Sequence, residues 1–166
     1  MAKALICGVG RMGRVIGYAM DHFGYELVAA DPNGHAIGEL EALIDKNVFH
    51  YTQVPTEQEL CNVNPDIVIS SMPYFENKRI AEQCIKHGFR YCDLGGRVDV
   101  SAEINEMAND IATKPVFTDL GLAPGWVNIL AEQGLNQIRN ATDIKMMVGG
   151  IPLQRPAGPL KYFMTW

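Results

Sequence analysis

Short apolar runs alternate with amphipathic segments along most of this chain. The apolar runs have the length and continuous hydrophobicity of buried parallel strands, and the segments between them carry apolar residues at helical spacing. The predicted strands cover residues 2–7, 27–30, 48–54, 66–71, 89–94 and 116–119. Strict alternation of strand and helix predicts an α/β fold, with a parallel sheet covered on both faces and right-handed crossovers.

The predicted helices are recognised by their apolar stripes and caps. Thr56 to Glu59 fits a capping box at the start of the third helix, and Gly88 is a suitable left-handed cap at the end of the fourth. The residues expected to face the core are Met12, Ile16, Ala19, Met20 and Phe23, then Ile37, Leu40 and Ile44, then Ile80, Ala81, Cys84 and Ile85, then Ile104, Met107, Ala108 and Ile111.

The pattern changes after Asp119. A Gly/Pro loop over residues 121–125 precedes a helix with the predicted inner face Val127, Leu130, Ala131 and Ile138, and a strand is predicted over residues 143–148. The last residues, 160–166, form an apolar, aromatic run that needs partners. We therefore expect a first domain over residues 1–140 and the beginning of an incomplete second α/β domain over residues 141–166.

The first strand leads directly into a G-x-G-x-x-G sequence formed by Gly8, Gly10 and Gly13. Gly8 would allow the tight turn, Gly10 would let the backbone approach a pyrophosphate, and Gly13 would let the helix lie close to the strand. The helix that starts there offers free N–H groups and its positive dipole end to phosphates. This context predicts a Rossmann-type, doubly wound domain that binds a dinucleotide, although Gly-rich turns also occur in cofactor-free domains.

Asp31 ends the second predicted strand, roughly 20 residues after the Gly-rich turn, where the fingerprint places an acid. Its carboxylate is expected to accept hydrogen bonds from the adenosine ribose hydroxyls and to repel a 2′-phosphate. The predicted cofactor is therefore NAD in preference to NADP.

Composition and charge narrow the class of partner. The chain has 166 residues, 48% hydrophobic and 20% charged, and a net charge of −5, which argues against a nucleic-acid surface. We expect a cytoplasmic protein without a membrane partner, because the sequence shows neither a signal peptide nor an apolar run of about 20 residues.

The reactive residue types show no catalytic or metal-binding spacing. The four cysteines lack C-x-x-C spacing and the four histidines are isolated from them, so no metal site is predicted. Because neither a Ser-His-Asp nor a Cys-His constellation is visible, nucleophilic hydrolysis has little support, and hydride transfer by a bound cofactor fits better.

Other candidate ligand contacts follow the later strands, since ligands bind at the carboxyl ends of strands in open parallel sheets. Ser70, Ser71, Met72 and Pro73 are candidate cofactor contacts, although they could be a simple turn. Asp93 could hold a substrate ammonium or merely cap the next helix, and Asp119 raises the same ambiguity.

Several motifs occur in a distinctive order: the Gly-rich turn, Ser70 to Pro73, Tyr91 to Gly96, Asp119 to Ala131, Val148 to Pro152 and Pro159 to Trp166. Together they resemble the saccharopine dehydrogenase superfamily, and most closely its lysine 6-dehydrogenase branch. The resemblance implies an NAD(P)-dependent oxidoreductase acting on a CH–NH group of an amino acid. Members of that superfamily are usually about twice as long or more, and a substrate and dimerisation domain follows the segment that ends this chain.

The resemblance also assigns residues. The cofactor contacts it implies are Gly8, Gly10, Arg11, Met12, Gly13, Asp31, Ser70, Ser71, Met72 and Pro73. The substrate-binding candidates it implies are Asp93, Gly95, Gly121, Trp126 and Tyr162. No catalytic acid or base is assigned. The alternative is a dinucleotide-binding or sensing module without chemistry of its own, and in either case the apolar C-terminal run predicts a homo-oligomer.

Overall fold

The computed structural model describes residues 1–138 and 140–149 and consists of alternating strands and helices. The strands are β1 (Lys3–Cys7), β2 (Glu26–Ala30), β3 (Phe49–Tyr51), β4 (Ile67–Ser70), β5 (Arg90–Asp93) and β6 (Val116–Phe117). The helices are α1 (Arg11–His22), α2 (Gly34–Ile44), α3 (Glu57–Val63), α4 (Tyr74–His87), α5 (Val98–Ile111) and α6 (Trp126–Gln137).

The strands form one parallel sheet in the order β3-β2-β1-β4-β5-β6. The chain winds outward from β1 to β3, then returns to the other side of β1 and winds outward again from β4 to β6. This order confirms the predicted Rossmann-type fold, and its switch point lies between β1 and β4.

The central strand β1 is buried on both faces, which explains its unbroken hydrophobicity. Leu5 and Cys7 belong to a core cluster that includes apolar residues of α3, α4 and α5. Ala4 and Ile6 belong to a second cluster that includes apolar residues of α2. Because alternate strand residues point to opposite faces, one short run contributes to both cores.

The face of α1 that packs overlaps only in part with the predicted one. Ile16 and Met20 pack against the second core cluster as predicted. Met12 and Phe23 are 50% and 73% exposed, and the buried residues of the helix are Gly13 and Gly17. A Cβ atom on Gly17 would lie 2.8 Å from Cδ1 of Leu40, so the missing side chain allows α2 to approach. The apolar pattern does not predict this contact, because glycine carries no hydrophobic signal although Gly17 lies where α2 approaches α1.

Other predicted boundaries and faces need correction. The strand predicted over residues 48–54 contains only Phe49–Tyr51, and the last strand of the sheet ends at Phe117. In α5 Ile104 is buried, whereas Ile111, near the C-terminus of the helix, is 61% exposed.

The chain divides into two compact units, Met1–Trp126 and the part from Val127 onward. In the second unit, α6 has no buried residue, so its predicted inner face is not buried among the described residues. The segment predicted as a strand over residues 143–148 has no regular secondary structure, and that prediction was wrong. The predicted boundary at residue 140 and the substrate-domain character of residues 141–166 stay predictions. None of the helices in the described part of the chain has the length and hydrophobicity of a membrane span.

Candidate functional site

The carboxyl ends of β1, β2 and β4 meet at one edge of the sheet and are tied together by short hydrogen bonds. Gly8 follows β1, and its N–H donates to the carbonyl oxygen of Ala30 on β2 at 2.8 Å. Ser71 follows β4, and its N–H donates to the carbonyl oxygen of Cys7 at 2.8 Å. The Gly-rich turn is therefore held from both neighbouring strands at the switch point.

Two of the fingerprint glycines are explained by contacts within the protein. Gly8 has a φ of +84°, a left-handed conformation that favours glycine, and a Cβ there would lie 2.9 Å from the carbonyl oxygen of Ser71. A Cβ on Gly13 would overlap the carbonyl oxygen of Gly8. These two residues let strand, turn and helix pack closely.

Gly10 has a different environment. A Cβ built on Gly10 would meet nothing within 4 Å, and its φ of −66° is open to any residue. No contact within the protein explains a glycine at this exposed position. An external group that approaches the backbone closely would explain it, as the pyrophosphate does in dinucleotide-binding turns.

The N-terminus of α1 is also left open, unlike those of the next two helices. Asn33 caps α2 by accepting a hydrogen bond from the N–H of His35, and Thr56 forms a capping box with Glu59 in α3. In α1 the cap position is Gly10, with no side-chain cap and no acidic residue in the first turn. The dipole end and free N–H groups of α1 are thus available to an anion.

Asp31 lies beside this helix end. One carboxylate oxygen accepts a hydrogen bond from the N–H of Val9 at 2.7 Å, and the other accepts one from Asn33 at 2.8 Å. Each carboxylate oxygen can accept more than one hydrogen bond, so both retain capacity for a ligand hydroxyl. The two backbone bonds fix the carboxylate next to the Gly-rich turn.

The residues after β4 divide between the protein interior and the cleft, by which we mean the open space beside the Gly-rich turn at the carboxyl ends of the strands. Ser70 is fully buried, and its hydroxyl donates to Oδ1 of Asn77 at 2.8 Å. The hydroxyl of Ser71 donates to the carbonyl oxygen of Gly8 at 3.0 Å. Met72 is half-buried, with its sulfur close to Gly8, and Pro73 is exposed at the start of α4. Ser71 and Met72 thus border the turn, whereas the hydroxyl of Ser70 faces inward.

Asp93 at the end of β5 is only 1% exposed, and its carboxylate is engaged on both oxygens. Oδ1 accepts hydrogen bonds from the N–H groups of Gly95 at 2.8 Å and Asp119 at 3.1 Å, and Oδ2 accepts one from the Tyr91 hydroxyl at 2.9 Å. Burial raises the pKa of Asp93, and these three hydrogen bonds oppose that rise. Neither predicted alternative describes this environment, since Arg97 occupies the cap position of α5. Asp93 joins two loops, and its burial argues against an ammonium contact.

Two polar residues of the network around Asp93 were not predicted. The backbone carbonyl oxygen of Asn77 in α4 lies 3.3 Å from the Tyr91 hydroxyl, and the Asn77 side chain accepts a hydrogen bond from Ser70. Ser101 of α5 donates to Oδ1 of Asp119 at 2.9 Å. Both side chains lie on otherwise apolar helix faces. A polar residue at that spacing, such as Asn77 before Ile80 and Ala81, was the available signal for a buried polar contact.

Gly95 and Gly121 are explained by the packing of the two loops. Gly95 has a φ of +77°, and a Cβ there would overlap Oδ1 of Asp119. A Cβ on Gly121 would lie 2.5 Å from the carbonyl oxygen of Leu94. Trp126 is 50% exposed, and its backbone N–H donates to the carbonyl oxygen of Gly121 at 2.8 Å. Tyr162, the remaining substrate candidate, lies outside the described residues.

Comparisons with known proteins establish the fold. No protein-family profile matches the sequence. Saccharopine dehydrogenase (L-Glu forming) from Saccharomyces cerevisiae, in its apo form, is similar with a TM-score of 0.69 and 16% identity over 84% of this chain and 32% of that chain. The WlbA (WbpB) dehydrogenase from Thermus thermophilus, in complex with NAD and alpha-ketoglutarate, is similar with a TM-score of 0.60 and 16% identity over 85% of this chain and 48% of that chain.

The WlbA dehydrogenase from Chromobactrium violaceum, in complex with NADH and UDP-GlcNAcA, gives a TM-score of 0.59 and 18% identity over 81% of this chain and 40% of that chain. The chain thus spans between about a third and a half of the length of these structures. At such identities the likeness is one of fold, and it agrees with the observed strand order.

The described residues fit a dinucleotide and offer no metal centre. Gly10, the uncapped start of α1 and Asp31 provide space, N–H donors and ribose acceptors at one edge of the sheet. Within the described part of the chain, no group of three or more His, Cys, Asp or Glu side chains could hold a metal ion.

Proposed function

We propose that this chain is the dinucleotide-binding part of an NAD-dependent oxidoreductase that acts on a CH–NH group of an amino acid, of the lysine 6-dehydrogenase or saccharopine dehydrogenase type. The observation that carries the cofactor assignment is the space at Gly10 beside an uncapped helix end and Asp31. The substrate class rests on the motif order and on the structural likeness to saccharopine dehydrogenase.

The residues of the Gly-rich turn have distinct roles in this proposal. The backbone of Gly10, Arg11 and Met12 binds the pyrophosphate at the start of α1, while Gly8 and Gly13 hold the turn against strand and helix. Asp31 accepts hydrogen bonds from the adenosine ribose. Its negative charge would repel a 2′-phosphate, which supports NAD in preference to NADP.

The β4 and β5 loops border the catalytic side of the cleft in this proposal. NAD supplies the hydride acceptor when it is bound. Ser71 holds the carbonyl oxygen of Gly8 and so stabilises the turn, and Met72 excludes water next to it. The network of Asp93 fixes the loops after β5 and β6. These loops would orient an amine substrate, while the Asp93 carboxylate itself stays bonded to protein groups and does not contact the amine.

A specific observation favours a second candidate function, a dinucleotide-binding module without chemistry. Asp93 and Asp119, the carboxylates that follow β5 and β6, are both hydrogen-bonded to protein groups. A catalytic acid or base would then have to come from elsewhere. Such a module would bind NADH with the same residues and transfer no hydride.

Two measurements separate these candidates. Isothermal titration of NADH and NADPH into the protein tests the cofactor site, and we expect NADH to bind more tightly. Absorbance at about 340 nm with NAD and a panel that includes lysine and saccharopine tests turnover, since reduced nicotinamide forms only if hydride is transferred. Binding with no turnover across the panel, also in a chain extended to include a second domain, would favour the module. Absence of NADH binding would refute both candidates.

Association with other molecules remains part of the proposal. We expect a small-molecule amino-acid substrate and a homo-oligomer, and no nucleic-acid partner. Sedimentation at several protein concentrations would determine the oligomeric state.

A further inference from the structure

Three side chains from two neighbouring helices form a hydrogen-bonded chain far from the cleft. The Sγ atom of Cys61 in α3 lies 3.5 Å from Nδ1 of His87 in α4. Nε2 of the same imidazole lies 2.8 Å from Oε1 of Glu57, which belongs to α3. No Cys-His constellation is visible in the sequence, where the histidines are isolated from the cysteines, and the packing of α4 beside α3 corrects that prediction.

This cluster, Glu57–Cys61–His87, lies towards the amino ends of the strands, whereas the Gly-rich turn lies at their carboxyl ends. Helix α4 starts beside the carboxyl end of β4 and ends at His87, just before β5 begins at Arg90. A helix of 14 residues is about 21 Å long. The cluster is therefore separate from the proposed dinucleotide site and is not needed for it.

The carboxylate of Glu57 determines how His87 can act. Hydrogen bonds from Lys86 and His87 lower the pKa of Glu57, so the carboxyl is ionised at neutral pH. An ionised carboxylate can only accept a hydrogen bond, so it favours the tautomer in which Nε2–H donates to Glu57 and Nδ1 presents its lone pair to the thiol. The same order of nucleophile, base and acid activates nucleophiles in enzymes.

The surroundings of His87 favour its action as a base. The imidazole is in the last turn of α4, where the negative end of the helix dipole favours a positive group. The Glu57 carboxylate, which also binds the Lys86 ammonium at 2.7 Å, contacts the other nitrogen of the imidazole. The helix end and Glu57 thus favour His87 as the acceptor of the thiol proton during reaction.

The other cysteines have the opposite environment. Burial raises the pKa of Cys7 to about 12 and that of Cys92 to about 11, and Cys84 is fully buried. Cys61 is exposed. The thiols of Cys7, Cys84 and Cys92 therefore serve as an internal comparison for the thiol of Cys61.

We propose that Cys61 is a reactive thiol, activated by His87, and that it is a site of oxidation by hydrogen peroxide. The thiolate attacks one peroxide oxygen, an S–O bond forms and the O–O bond breaks. The other oxygen leaves as hydroxide and takes the proton from the imidazolium to become water. Sulfur loses two electrons and becomes a sulfenic acid, and the peroxide is reduced.

The competing interpretation is that the cluster only joins α3 to α4 and that Cys61 reacts because it is exposed. Site-resolved mass spectrometry after timed reaction of the reduced protein with iodoacetamide at neutral pH separates the two. We expect Cys61 to be alkylated fastest, and His87→Gln to slow Cys61 by about tenfold. A control, His22→Gln, replaces an exposed histidine in the last turn of α1 and should leave the rate unchanged.

A rate for His87→Gln within about twofold of the unchanged protein would overturn the proposal, because general-base assistance would then be absent. Glu57→Gln gives a second reading if the first variant does not fold, since it keeps the imidazole and removes only the charge that orients it. We expect about threefold slower alkylation of Cys61 in Glu57→Gln, and an unchanged rate would count against the proposal.

The oxidation step has its own test. Peroxide treatment followed by trapping with dimedone should place the adduct on Cys61, and His87→Gln should lower its yield. Loss of the adduct in Cys61→Ser, with NADH binding unchanged, is the expected result. An adduct distributed equally over the cysteines, or no adduct at Cys61, would overturn the oxidation site without affecting the proposed dinucleotide function.

Discussion

The carboxylate of Asp31 accepts a hydrogen bond from the backbone N–H of Val9 at 2.7 Å, which links the end of β2 to the turn that follows β1. Val9 is fully buried, so this N–H has no access to water. Asp31 therefore shapes the Gly-rich turn in addition to its proposed contact with a ribose. Charge and hydrogen bonding at this residue can be separated by two different substitutions.

Asp31→Asn keeps an acceptor for Val9 and removes the negative charge. We expect the ratio of NADPH to NADH affinity to rise by about tenfold, because a unit charge near a phosphate is worth about 1–4 kcal/mol close to a protein surface. Calorimetric titration with both dinucleotides measures the ratio. An unchanged ratio would refute the assigned role of Asp31 in selecting NAD.

Asp31→Ala removes the acceptor as well as the charge. The buried N–H of Val9 then lacks its partner, and we expect the free energy of unfolding to fall by about 1–3 kcal/mol. Urea denaturation measures this change. Equal stabilities for the Asn and Ala variants would show that the bond to Val9 contributes little.

Gly10→Ala tests whether the space at Gly10 serves a ligand. The added Cβ meets no protein atom, so we expect the protein to fold and to lose about 1 kcal/mol or less of stability. NADH affinity should fall by about tenfold or more, because the methyl group would occupy the path of the pyrophosphate. Denaturation and calorimetry on the same sample give both values.

Gly38→Ala is the matched control, because a Cβ on Gly38 in α2 also meets nothing within 4 Å. Alanine is the better helix former, so this variant should gain up to about 1 kcal/mol of stability and bind NADH normally. If Gly10→Ala also bound NADH normally, the pyrophosphate would not pass at Gly10.

The sequence predicted most of the fold, and within the candidate site it predicted the Gly-rich turn and Asp31. These features depend on residues that are close together in the sequence. Strand runs, the Gly-rich turn and Asp31 are contiguous signals, since each residue is interpreted from its near neighbours. The network of Asp93, Asn77 and Ser101 joins three elements, and no local pattern specifies which polar residues meet. The same holds for Cys61 and His87, whose proximity depends on the packing of α3 beside α4.

Gly95→Ala tests how closely the loops after β5 and β6 are packed. The residue has a positive φ, and its Cβ would overlap Oδ1 of Asp119. Gly24→Ala is the control, because Gly24 has a similar φ of +83° but no atom within 4 Å of the added Cβ. The control should lose about 1–2 kcal/mol from backbone strain alone, measured by urea denaturation.

The loss for Gly95→Ala should exceed that of the control by about 1–3 kcal/mol, the usual effect of overpacking. Equal losses in the two variants would mean that the Asp119 side chain moves away freely. That result would weaken the view that the loop network of Asp93 is rigid.

The pH dependence of stability provides a test of the buried Asp93 carboxyl. Burial raises its pKa in the folded protein, so between its unfolded and folded pKa values the folded state binds more protons than the unfolded state. The contribution of Asp93 to stability is then fully present below about pH 3.9, its ordinary pKa, and is lost as pH rises through the folded pKa. Asp93→Asn cannot titrate and retains the acceptor for the N–H groups of Gly95 and Asp119.

Urea denaturation of both proteins from about pH 3 to pH 7 measures this difference. The stability of the unchanged protein relative to Asp93→Asn should fall with rising pH, with a slope of at most about 1.4 kcal/mol per pH unit. Tyr91→Phe removes a hydrogen bond that stabilises the ionised carboxylate, so in this variant the loss should extend to higher pH. A difference between the unchanged protein and Asp93→Asn that stays constant with pH would contradict the raised pKa of Asp93.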